Sequence, residues 1–449
     1  MKFLLRGRKF VFLGAYALSV LTPVSRADDL FRLYQDALEN DAVFLAARTN
    51  TEAEHEAVPQ ARAQLLPNLS FSGSRSKNTS RQTSRGLFGE ESRDYDYDSH
   101  SYTLTVRQPL FRPYLIAAYS QARARSESAE AALRQGMQEV ALRVGEAYLN
   151  ALLIRSELEV NAAQREACRI QLLHAQKTFA AGFGTRTDID EAQSRLDLAD
   201  AQALELEHRR EYALNALTAI VNRPLTSLTP LKSKALEEGM AQEFPALEIW
   251  LSRAETDNPR LQSLRADIKA AEQEVQKARA GRLPTVDLVA QRSKSESDSH
   301  TNIGSRYDNR VVGLQVSVPI FSGGYVNSAV RQTLLTLDSQ KMRLEASRRE
   351  VVLAARKEFD TVFQGARWIR AYARAVHSAE QTLRSTKKGL EAGTRQMLDI
   401  LNAEQALAAA RRDWERGRHQ YLLARLRLLA LTARLDEEEM RRFNAWFGE

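Results

Sequence analysis

Few side chains in this 449-residue chain are spaced to make or break bonds. Seven histidines stand at 55, 100, 174, 208, 300, 377 and 419. No two form the His-x-x-x-His pair that would put two imidazoles on one helix face for a metal. The single thiol, Cys168, cannot close an intrachain disulfide; its helical surroundings predict a small packed side chain. No phosphate-cradling glycine loop occurs, so the chain cannot draw work from a nucleotide. The expectation is a protein that is not an enzyme and holds no cofactor or metal. What remains are charged clusters after two glycine breaks. One runs Ala181-Gly182-Phe183-Gly184-Thr185-Arg186-Thr187-Asp188; the other is Ala392-Gly393-Thr394-Arg395, followed by Asp399 and Asn402. An aspartate or arginine placed so soon after a glycine turn caps the next helix or sits as a solvated charge.

The two clusters belong to a larger repetition. Leu66-Pro67-Asn68-Leu69 matches Leu283-Pro284-Thr285-Val286 at an offset of 217. Gln108-Pro109-Leu110-Phe111 matches Val318-Pro319-Ile320-Phe321 at 210, and Ala181-Gly182…Asp188-Ile189 matches Ala392-Gly393…Asp399-Ile400 at 211. Asn40-Asp41-Ala42 and Asn258-Pro259-Arg260 each open a helical run. Matches in one order at nearly one spacing mark a tandem duplication. The chain divides into residues 28–222 and 245–435, a linker at 223–244 and a C-terminal segment at 436–449.

Within each copy the hydrophobic period changes in the same order. A helical run ends at Pro67 or Pro284. Alternating stretches follow: Tyr102, Leu104 and Val106 against Thr103, Thr105 and Arg107, then Val312, Leu314, Val316 and Val318 against Gly313, Gln315 and Ser317. Period two predicts half-buried strands, with Leu69, Phe71, Val286 and Leu288 on shorter partners. Ser74 to Ser99 and Ser293 to Asn309, polar and without apolar period, are predicted as long loops. Four strands cannot close a barrel around a pore, so the hairpins are either soluble or pooled between chains. After each hairpin, seams of three and four residues return. Val140, Val144, Ala147, Ala151, Ile154 and Leu158 form one, Leu196, Ala199, Ala203 and Leu206 another, and Leu407, Trp414, Tyr421, Leu428 and Leu435 recur at seven. They predict long antiparallel helices turning at Gly182–Gly184 and at Gly393. The architecture predicted is a rod with strands at one end and helix tips at the other. Arg411, Arg418 and Arg425 mark a solvated or salt-bridged helix face.

The N-terminus reads as a signal peptide over residues 1–27. Lys2, Arg6, Arg8 and Lys9 precede an apolar run from Phe10 to Leu21, and Ser25-Arg26-Ala27 offers small residues for cleavage. Its removal would take the formal net charge from +7 to +2, so the basic balance gives no reason to expect nucleic acid as a partner. Mean hydropathy of −0.43 and the lack of a later apolar run near ~18–20 residues exclude a bundle of membrane helices.

The chain resembles the TolC family of outer-membrane efflux proteins. The resemblance rests on Leu65-Leu66-Pro67-Asn68-Leu69, on Val316-Ser317-Val318-Pro319-Ile320-Phe321-Ser322-Gly323-Gly324, and on the tip from Ala392 to Ala403. Gly184-Thr185-Arg186-Thr187-Asp188-Ile189 is similar to the branch serving type I secretion of proteases and lipases. The resemblance implies an α+β membrane protein: a homotrimer whose chains each give four strands to one twelve-stranded barrel in outer-membrane lipid. Below it runs a helical barrel through the periplasm, with an equatorial region built from the linker and the C-terminal segment. It implies a periplasmic adaptor (membrane fusion) protein docking at the tips, around Gly182, Gly184, Thr185, Arg186, Gly393 and Thr394. An inner-membrane ABC transporter would supply the work; the other reading is drug or metal efflux with a proton-driven pump. At the gate it implies a lumenal ring of Asp399, with Arg395 locking onto Thr187 and Asp188 of a neighbouring tip. Leu390 stands where relatives carry an aromatic, and Asn402 where some carry a second acid.

Overall fold

The computed structural model describes residues 28–225, 227–232, 236, 239–240, 244–297 and 304–448. The signal-peptide segment, His300 and part of the linker lie outside them. Asp29 caps α1 (Leu30–Asn40), its side chain accepting from the Arg32 amide, and Asp41 caps α2 (Ala42–Ala63) through the Phe44 amide. The chain then enters β1 (Asn68–Gly86) and β2 (Gly89–Phe111). Pro113 starts α3 (Pro113–Ala180), 68 residues without interruption, or about 100 Å at 1.5 Å per residue. After the glycine break comes α4 (Arg186–Val221), closed by Asn222 in the left-handed region. The second copy repeats the order: α5 (Leu247–Thr256), α6 (Pro259–Ala280), β3 (Thr285–Ser297), β4 (Ser305–Ser317), α7 (Tyr325–Glu391) and α8 (Met397–Leu431). A short α9 (Glu437–Asn444) follows.

The strands form one antiparallel sheet in the order β1-β2-β3-β4, so the two copies meet along β2 and β3, and β1 and β4 keep free edges. Here the structure corrects the sequence reading. The stretches taken as loops, Ser74 to Ser99 and the described parts of Ser293 to Asn309, are strand. They hold by charge and not by apolar alternation: Arg81 faces Asp94 at 2.6 Å, Arg85 faces Glu90 at 3.2 Å, and Arg292 reaches diagonally to Asp308 at 2.9 Å. The first hairpin turns only at Leu87 and Phe88. Near the helical end, Phe71, Tyr102, Leu104, Val312, Leu314 and Val316 remain exposed on the single chain, the surface a lipid-facing band requires. No helix of the described residues is long and apolar enough to cross a membrane.

The main core lies along the helical wall. Leu33 of α1, Val140, Val144 and Tyr148 of α3, Leu217 of α4, Leu261 of α6, Phe359 of α7 and Leu422 and Leu426 of α8 are buried together. Tyr148 donates to the Thr229 carbonyl at 2.7 Å. Short bridges pair Asp28 with Leu228 and Leu231 with Phe447, so the linker touches both ends of the described chain. A buried carboxylate is met by arginines that reach in from the surface: Glu157, 2% exposed, takes Arg416 at 2.7 Å and Arg209 at 3.5 Å. In the arginine stripe, Arg411 bridges to Glu380 at 2.8 Å. Arg418 is not a solvated charge: it is 5% exposed, bonded to Glu415 and stacked on Trp414 at 4.7 Å.

Candidate functional site

The two glycine-marked turns lie at the end of the helices opposite the sheet, and both are built by local rules. Gly182 (φ +80°) and Gly393 (φ +69°) take the left-handed backbone that ends α3 and α7. Gly184 is needed for a different reason: a side chain there would meet the Phe179 amide and Thr178 Oγ1 at 3.0 Å. Thr185 and Asp188 then form a capping box, in which Thr185 Oγ1 accepts from the Asp188 amide at 3.1 Å and Asp188 Oδ2 accepts from the Thr185 amide at 2.9 Å. Arg186 pairs with Asp190 at 3.3 Å, and Thr187 is exposed. In the second tip, Asp399 Oδ2 accepts from the Gln396 amide at 3.0 Å. Thr394 closes the turn, its amide and Oγ1 donating to the Gly389 carbonyl at 2.8 and 3.1 Å. Asp188 and Asp399 are thus equivalent caps, one per copy.

Within the chain no ion pair or hydrogen bond joins Arg395 to Thr187 or Asp188. Arg395 instead lies 4.0 Å from Asp399; the arginine is exposed and the aspartate half-buried. Leu390 is half-buried against Ala192, Met397 and Leu401, the small cluster that seats one tip on the other. Asn402 has a partner that sequence reasoning missed: Arg195 of α4 donates to Asn402 Oδ1 at 3.3 Å and also to Gln405 Oε1. Arg195 and Gln405 stand 210 residues apart, nearly the repeat offset, so near-equivalent positions of the two copies face each other. That coincidence was the available signal. Lys387 of α7 reaches the buried Glu404 of α8 at 3.1 Å.

No nucleophile and base are brought together here, and no group of three metal-ligating side chains occurs among the described residues. Cys168 is buried, and burial pushes its thiol pKa up, away from a reactive thiolate. The tips can offer surface charge, caps and a link between hairpins.

The site is a pair of capped helical tips on a duplicated strand–helix chain with an open four-stranded sheet. The outer membrane efflux protein family matches residues 33–223 and 250–434, and the chain belongs to that family. Among its relatives is the alkaline protease secretion protein AprF of Pseudomonas aeruginosa, 36% identical over 91% of this chain and 85% of that protein. The proteases secretion protein PrtF of Dickeya chrysanthemi is 33% identical over 98% and 95%. In fold the chain is similar to the outer-membrane protein VceC of Vibrio cholerae (TM-score 0.78, 18% identity, 90% of this chain and 96% of that one). CusC, described as forming a transmembrane channel, gives 0.77 at 18% identity over 90% and 92%. The chain is an outer-membrane exit channel with the TolC-like fold.

Proposed function

We propose that this channel is the outer-membrane exit duct of a type I secretion system for proteins, proteases being the cargo class. It would work with a periplasmic adaptor and an inner-membrane ABC transporter, and it is not itself an enzyme. The observation that carries this reading is near full-length identity above 30% to two relatives named for protease secretion. The free edges of β1 and β4 support assembly: three copies give twelve strands and leave no edge exposed. In that homotrimer Asp399 supplies three lumenal carboxylates and Arg395 locks adjacent tips through Thr187 and Asp188. The adaptor meets the turns at Gly182, Gly184, Thr185, Arg186, Gly393 and Thr394.

Deleting the gene and comparing secreted proteins with drug and metal susceptibility tests the cargo. Loss of an extracellular protease with unchanged susceptibility is expected. Normal secretion with heightened drug or metal sensitivity overturns this reading in favour of efflux through a proton-driven pump.

A further inference from the structure

Part-way along the helical wall, α5, α7, α8, α9, the connection at 432–436 and the linker residues Gly239, Met240, Phe244 and Pro245 line a cavity of about 370 Å³. Its lining is rich in donors. Arg253 reaches it from α5, Arg367 and Arg370 from α7, Arg425 from α8, and Arg434 from the connection. None of the five has a carboxylate within 4.0 Å among the described residues. Glu439 also lines the cavity but is engaged with Arg442 at 2.7 Å. Elsewhere on the wall the pattern differs: Arg416 is matched by Glu157, and Arg427 by Glu146 at 2.8 Å.

Three of the guanidiniums are held by ring faces instead. Arg253 lies 5.9 Å from the Trp250 ring centre, Arg367 5.7 Å from Phe363, and Arg425 4.8 Å from Trp446. A stacked guanidinium is oriented through its face, which leaves the N–H fork in its plane free to donate. Like charges gathered around one space repel. A ligand that brings negative charge and several acceptor oxygens relieves this, and paired oxygens match the guanidinium fork. The volume holds about a dozen waters, more than a single small ion needs.

We infer that this cavity is a binding site for a small multivalent oxyanion, a compound carrying two or more phosphate or carboxylate groups. The test is calorimetric titration of the purified full-length protein in detergent with inorganic pyrophosphate and with citrate. Saturable binding is expected for both. It should weaken tenfold or more in Arg370→Gln/Arg434→Gln, whose guanidiniums hold no other group in place. Arg343→Gln, at an exposed arginine outside the cavity, should leave binding unchanged. Absence of saturable binding, or equal weakening by the Arg343 variant, overturns the assignment. So does binding that emerges only after Glu237, Glu238 and Glu243, which lie outside the described residues, are changed to Gln, for the chain would then be its own anion. A glutamate-rich peptide binding more tightly than pyrophosphate would make the cavity a protein-docking site and overturn the small-anion assignment.

Discussion

At the scale of single residues, His419 shows how burial sets charge. Its Nδ1 lies 2.8 Å from the Glu415 carbonyl, Nε2 has no partner, and burial pushes its pKa down to about 4. Above an unfolded value of about 6.5 the ring is neutral in both states. As pH falls from there toward 4 only the unfolded chain takes up the proton. Stability therefore drops by up to about 3 kcal/mol per chain and levels off below. Burial raises the pKa of neighbouring Glu415, which acts in the opposite sense, so the comparison must be between proteins. The difference in denaturation midpoint between wild type and His419→Gln should change between pH 6.5 and 4; parallel profiles would refute the assignment. Asn402 carries a second prediction. Asn402→Asp sets its new carboxylate against Arg195, which partly neutralises it. Divalent-cation block of single-channel conductance should therefore deepen modestly in that variant. It should deepen several-fold in Arg195→Gln/Asn402→Asp, and be relieved by Asp399→Asn. Block indifferent to all three would remove these residues from the constriction.

At the scale of elements, glycines report how closely helices approach. A β-carbon on Gly145 of α3 would come within 2.6 Å of Leu426 on α8, and one on Gly365 of α7 within 2.8 Å of Tyr421. At Gly136 the nearest atom, Ala47 Cβ, is 3.6 Å away. Alanine gains up to about 1 kcal/mol of helix propensity over glycine, whereas overpacking costs about 1–3 kcal/mol. Gly145→Ala and Gly365→Ala should lower the thermal midpoint and Gly136→Ala should raise it. A common sign for all three would show that propensity, not packing, decides. The elements also show what the sequence made legible. Both glycine turns, the long helices and the order of elements followed from period and breakers, because those signals are local. The outer halves of the strands did not. Arg81 and Asp94, or Arg292 and Asp308, become partners only once a register is set, and a run of serines and charges looks the same in a loop. The Arg195 link to Asn402 was hidden for the same reason: its two ends lie 207 residues apart.

At the scale of the whole molecule, the open sheet is the unfinished part. Native mass measurement of the detergent-extracted protein should give three copies, with dissociation accompanied by loss of conductance. A conducting single chain would contradict the twelve-stranded closure. The sheet is also uneven. The strands of the first hairpin run 19 and 23 residues, those of the second 13 each. A closed assembly would alternate three hairpins of these longer strands with three whose described strands are shorter.

The continuous helices α3 and α7 run 68 and 67 residues, and together they act as a ruler. Both copies are cut to one length, so the two tips of a chain reach the same depth and can seat on each other, Ala192 of one against Met397 and Leu401 of the other. Removing two turns from one helical hairpin alone would withdraw its tip by about 10 Å, stagger the mouth and, on the proposed docking at the tips, leave the adaptor half a rim. The reach of the duct can therefore be altered only in matched steps, taken in both copies at once.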